Sequence, residues 1–287
     1  MKRNAIIFLC ATALSLLGLE LSAQTAYSLF YRSDSLQVNE IVSAEAVQYS
    51  KVGHHGPAVE NSHAIFRIYF NDSGSIDVYS KSGKQMELRK YLWYPTERQQ
   101  AEEGAGCDEY LVGKTVGLGG IALWDGEKEV KLVATRGRTA RVGSIRGGSF
   151  AEMIAYGVMY KGEPVDISIR VETRDGSREA KVIARELNGR KVCFLTGVNF
   201  QKDASVNYGK GYICNWGVHP ADISSNPQPL GGGMKYKAAA FEPARKTDNM
   251  VMLISKPASK ISTRIVAAST KEEELGTLER FLDYMKK

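Results

Sequence analysis

Val165-Asp166-Ile167-Ser168-Ile169-Arg170-Val171-Glu172 sets an apolar residue at every second position. A period of two gives an extended strand one dry and one wet face. Asp175-Gly176 then turns the chain, and Ala180–Glu186 and Val192–Val198 repeat the pattern. Asn188-Gly189 between them is a hairpin signal, because both residues tolerate positive φ. Outward from this centre, strands are predicted at Ala64–Phe70, Ser75–Tyr79, Ile121–Trp124, Lys128–Ala134, Thr139–Ile145, Ala151–Tyr160, Gly211–Trp216, Lys235–Phe241, Met250–Ser255 and Lys260–Ala267. About a dozen strands at this spacing, with no alternating strand–helix rhythm, predict an all-β chain built as a large sandwich or barrel.

Helix is expected in one place, 270–286. Thr270 can cap it, Glu272–Glu274 suit its first turn, and Leu275, Leu278, Phe281, Leu282 and Met285 share a face. Lys2 and Arg3 precede an apolar run from Ala5 to Leu19, and Ala23 is a fitting cleavage residue, so 1–23 reads as an export signal. Residues 24–287 are then expected to form a single domain, periplasmic or secreted, with no membrane association after cleavage. Cys107, Cys193 and Cys214 remain; they read as buried thiols, with a 193–214 pair as the alternative.

Of 287 residues, 43% are apolar, 24% charged and 9% aromatic, and the net charge is +6. Disorder is excluded by that composition. The cations are scattered, so a nucleic-acid partner is not expected; a mildly positive exported protein suits an acidic saccharide better.

The candidate chemistry lies in four places. His54, His55 and His63 fall within ten residues, and imidazole carries protons near neutral pH. Their spacing does not bring metal ligands together from two elements, and neither metal nor cofactor is expected. Glu60 and Asn61 precede the 64–70 strand; with regular pleating, Asn61, His63, Arg67 and Tyr69 line one polar strip. The irregular stretch 91–114 carries Tyr91, Trp93, Tyr94, Asp108 and Lys114, the last two able to form either a buried pair or a charge clamp. A second irregular stretch, 217–233, follows Trp216 and holds His219. Flat rings such as Trp93 and Trp216 offer stacking surfaces to sugars.

Gly56-Pro57-x-x-Glu60-Asn61, Phe66-Arg67-Ile68-Tyr69-Phe70 and Asp77-Val78-Tyr79-x-Lys81 together resemble the opening of the unknown-function domain family 4861. Asp108-x-x-x-x-Gly113-Lys114-x-x-Gly117-x-Gly119-Gly120 and Trp216-Gly217 are similar to its later blocks, although Gly106-Cys107 stands where an aromatic–glycine pair is expected. The resemblance covers nearly all of the chain after the signal. It implies a secreted protein of polysaccharide utilisation with a sandwich like those of galactose mutarotases and polysaccharide lyases. It also implies a carbon–oxygen lyase, an oligosaccharide dehydratase of the ulvan type, acting on terminal uronates.

Chemistry then distributes the roles. Arg67 and Asn61 would neutralise the uronate carboxylate, His63 or His55 would take the C5 proton, and Tyr69 or Tyr94 would protonate the leaving oxygen. Glu60, Trp93, Asp108, Lys114, Trp216 and His219 would contact the acidic oligosaccharide. The alternative is a non-catalytic carbohydrate-binding protein using the same face.

Overall fold

The computed structural model describes residues 24–44, 48–220 and 227–287; the expected signal segment lies outside them. Three antiparallel sheets make a large β-sandwich with one C-terminal helix. One layer is a nine-stranded sheet. Its order is Ser205–Gly209, Tyr212–Gly217, Leu230–Tyr236, Lys260–Ser269, Ala180–Glu186, Glu163–Arg174, Gly148–Tyr160, Arg138–Ile145 and Glu40–Ser43. The opening stretch thus sits near the middle of the large sheet.

Against it lie a four-stranded sheet (Thr25–Ser28, Ala58–Asn61, Ala64–Ile68, Ile76–Ser80) and a five-stranded sheet (Arg245–Lys246, Met250–Ile254, Phe194–Asn199, Ala122–Trp124, Glu129–Val130). Bridges Ile76↔Gly117 and Leu118↔Val198 join these two smaller sheets into one layer. Alternation delivers Ile167, Ile169 and Val171 to the core between the layers, which they share with Phe66, Ile76 and Phe194 of the smaller sheets and with Ile265 of their own sheet.

Three expectations change. Ala180–Glu186 and Phe194–Asn199 do not pair as a hairpin: they belong to different sheets, and the Asn188-Gly189 turn lies on the link between layers. The helix is Leu278–Lys286, capped by the Thr277 hydroxyl, rather than 270–286. Glu272 and Glu274 in the preceding turns grip Arg178 instead. The cysteines follow the leading expectation: Cys107 and Cys214 are buried thiols, Cys193 is half-buried, and the alternative 193–214 pair does not form. A short helix, Glu97–Glu102, interrupts the 91–114 stretch through a Thr96/Gln99 capping box.

Gly231-Gly232-Gly233, the end of the stretch expected to be irregular, lies inside Leu230–Tyr236. The reason is close packing on both faces. A Cβ at Gly231 would stand 2.7 Å from Trp216 and 2.8 Å from Phe281 of the helix, and one at Gly233 would stand 2.5 Å from Met285. Gly232 meets Tyr110 at 3.1 Å. Gly231→Ala is therefore expected to lift the helix from the sheet and to destabilise the fold by about 1–3 kcal/mol, the usual range for overpacking; a urea titration measures it.

Candidate functional site

Strand Ala64–Ile68 pairs with Ile76–Ser80 so that Arg67 stands directly opposite Asp77. Both are fully buried, and a guanidinium in that position needs acceptors. Arg67 Nη2 bonds Asp77 Oδ2, and it also meets Asp108 Oδ2 at 2.6 Å. The Tyr69 hydroxyl donates to the same Asp77 oxygen at 2.6 Å, while Asp77 Oδ1 accepts from the Val78 amide. Arg67 Nε and Nη1 are buried without a hydrogen-bond partner, and the Tyr94 ring lies 5.5 Å from the guanidinium carbon.

The second part of the site is the turn Gly53-His54-His55. His54 and His55 both take left-handed backbone, with φ of 54° and 61°. Two such residues in succession, neither of them glycine, are costly and are commonest at functional sites. His55 stacks on Tyr49 with ring centroids 3.8 Å apart, and Trp93 meets it edge-on at 5.0 Å. Its Nδ1 lies 3.1 Å from the Tyr49 carbonyl. A carbonyl can only accept, so Nδ1 carries the hydrogen and Nε2 keeps a lone pair.

These groups border one cavity of about 410 Å³, lined by Tyr49, His55, Tyr69, Asp77, Tyr94 and Asp108, and closed by Tyr110 and the backbone around Gly113. Burial lowers the pKa of His55, which favours the neutral ring. Burial, reinforced by Asp77, raises that of Tyr69, and burial lifts Tyr94 to about 12. Burial also pushes Asp77 up to about 7, against the pull of Arg67 and with Asp108 adding to it. Asp108 and Asp77 outweigh the burial of Arg67 and hold it protonated. The cavity therefore offers an unprotonated imidazole, two proton-holding phenols, and a carboxyl that titrates near neutrality.

The structure gathers His55, Arg67, Tyr69, Tyr94 and Asp108 here, and Trp93 beside them. It separates Asn61 and His63. The strip expected over 61–69 is not formed, because 62–63 is a turn between two strands. Asn61 Oδ1 closes that turn on the amides of His63 and Ala64. His63 lines a different cavity with Ser82, Lys84 and Glu274, and burial there, with Arg178 nearby, lowers its pKa to about 4.

Glu60 is occupied by Lys81 Nζ at 2.6 Å and by two backbone amides. Lys114 is exposed, and the buried partner of Asp108 is Arg67 rather than Lys114. Trp216 packs on Phe281 beneath the helix, so its ring is no sugar platform. His219 is buried against Tyr110, ring centroids 4.4 Å apart, behind the cavity wall.

Asp77 and Tyr49 are the members that reading the sequence for sites passed over. Asp77 had a signal: a lone carboxylate in the apolar run Ile76-Asp77-Val78-Tyr79. Tyr49 had none, since stacking across six residues depends on the left-handed turn. Among the described residues no group of three His, Cys, Asp or Glu side chains is placed to hold a metal ion. No helix among them is long and apolar enough to cross a membrane.

The sandwich and this cavity define a β-protein with titratable groups gathered around one cavity. The chain belongs to the domain-of-unknown-function family DUF4861, whose model matches residues 22–287. No curated protein matches it. Among solved structures it is similar to a heparan sulfate lyase HepC mutant from Pedobacter heparinus, with 7% identity over 75% of this chain and 34% of that one and a TM-score of 0.41. It is also similar to the 4-alpha-glucanotransferase from Thermococcus litoralis, with 11% identity over 74% of this chain and 37% of that one and a TM-score of 0.35. The chain thus spans about a third of the length of both structures.

Proposed function

We propose that the chain is an exported carbohydrate-active carbon–oxygen lyase that removes water from the terminal uronate of an oligosaccharide. The observation that carries this reading is the pairing of a neutral His55, with its Nε2 lone pair free, and the protonated Tyr69 and Tyr94 around one cavity. Nε2 takes the C5 hydrogen as a proton, and the C–H electrons become the C4–C5 double bond. The C4–O bond breaks, and the departing oxygen takes a proton from Tyr69 or Tyr94 and leaves as water. Before that, the uronate charge must be offset. Protonated Asp77 can donate to the carboxylate, and Arg67 behind it, partnered on Nη2 alone, supplies the positive field.

A second reading is favoured by one observation: Asp77 and Asp108 share a single guanidinium nitrogen, while burial raises Asp77 to about 7. Unequal carboxyls of this kind also serve acid–base chemistry on neutral sugars. Incubation with glucuronate-ended oligosaccharides and with their carboxyl-reduced counterparts separates the two. The lyase gives the ultraviolet absorbance of a conjugated alkene with the uronate alone. His55→Asn, which tolerates the left-handed backbone, is expected to lower that rate by roughly 10²–10⁴-fold, the span of general base catalysis. New reducing ends without the chromophore, or no chromophore across a broad panel of uronates, would overturn the lyase.

A further inference from the structure

Cations that are scattered in the sequence meet on the outer face of the nine-stranded sheet. Lys181 on Ala180–Glu186 stands directly opposite Arg264 on Lys260–Ser269, and Arg264 stands opposite Lys235 on Leu230–Tyr236. Four residues further along, and so on the same face, Arg185 stands opposite Lys260. Neighbouring strands lie about 4.8 Å apart, and like charges facing each other across that gap destabilise a sheet.

Glu179 is the acid that answers them, at 3.0 Å from Lys235 and 3.6 Å from Arg264. Glu172 lies opposite Lys181, but its carboxylate is turned to Arg170 and Arg174. Among the described residues Lys181, Arg185, Lys237 and Lys260 take part in no ion pair. Between the strands is a hollow of about 330 Å³ whose charged lining is Lys181, Lys235, Lys237 and Arg264, with no carboxylate.

We infer that this face is a docking site for an anionic polysaccharide, separate from the 410 Å³ cavity. Five cations on three adjacent strands, with Lys237 just past the end of one of them, are set against the single carboxylate of Glu179 and leave a positive field that an extended polyanion would cancel. The occupant is taken to be a glycan because the inference rests on the proposed action on acidic oligosaccharides. The site would hold the polymer while a chain end reaches the cavity.

The test uses electrophoresis of the folded protein through gels containing polygalacturonate or neutral dextran, together with Lys181→Thr/Arg264→Thr. The wild type is expected to be retarded by polygalacturonate only, and less so as salt rises. The double variant should bind about tenfold more weakly. It should unfold at an equal or higher urea concentration, because a cross-strand repulsion has gone. Its turnover of a glucuronate-ended tetrasaccharide should be unchanged. Equal retardation of both proteins would overturn the site, as would stronger binding of the wild type to duplex DNA than to polygalacturonate at the same salt. Absence of turnover in both proteins, with retardation lost only in the variant, would overturn the lyase reading and leave the docking site standing.

Discussion

Glu60→Ala is expected to cost the fold about 3–5 kcal/mol, the range for removing one member of a buried ion pair. The loss should appear as a lower urea midpoint with the slope little changed. Glu60 and Lys81 are fully enclosed, with Oε1 2.6 Å from Nζ. The same carboxylate accepts from the Glu87 and Leu88 amides at 2.7 and 2.9 Å, and Lys81 also donates to the Asn61 carbonyl at 3.1 Å. Removing the carboxylate strands an ammonium and two amides away from water, and each is costly unpaired. It also frees the 81–88 segment that leads into Trp93, Tyr94 and Asp108, so the cavity wall should loosen before the large sheet does. Replacing both partners, as Glu60→Leu with Lys81→Met, should recover most of the loss, because no charge is then left buried. A Glu60→Ala protein of wild-type stability that had lost glycan affinity would instead make Glu60 a ligand contact.

Glu60 illustrates which parts of the molecule its sequence displays. Period-two alternation is a local property, so Ala180–Glu186 and the 163–174 strand could be read with hardly any error. Pairing is not local: nothing near Asn188-Gly189 says that the next strand belongs to the other layer. The triple glycine signals close backbone packing, but what it packs against lies about fifty residues on, in Phe281 and Met285, and cannot be named from the stretch itself. Within the site, Arg67, Tyr69, Tyr94 and His55 stood out by residue type, but their grouping rests on the Arg67–Asp77 register. Asn61 and His63 join that group only if alternation runs unbroken through 62–63, where the chain turns. The basic face escaped notice for a similar reason: Lys181, Lys235 and Arg264 are far apart along the chain and become neighbours only when three strands align.

His219→Phe is expected to gain on the wild type by about 2 kcal/mol between pH 7 and pH 5, whatever it costs at pH 7. Burial lowers the pKa of His219 to about 4, whereas an exposed imidazole in the unfolded chain titrates near 6.5. Between those values the unfolded chain binds a proton that the folded chain refuses. The contribution of neutral His219 is therefore intact above pH 6.5 and fades as pH falls toward 4. Phenylalanine keeps the stacking on Tyr110 and takes no proton, so the fading is absent. His54, fully buried and lowered to about 3 by burial, should behave in the same sense. Asp77 runs the other way: its folded pKa of about 7 lies above the unfolded value, so acid relieves it. The wild-type profile alone therefore mixes opposite slopes, and the difference between wild type and variant isolates one ring. Urea midpoints of both proteins at pH 7, 6 and 5 supply that difference. A constant gap across the three values would mean that His219 is protonated as readily in the fold as out of it, and that water reaches the ring behind the cavity wall.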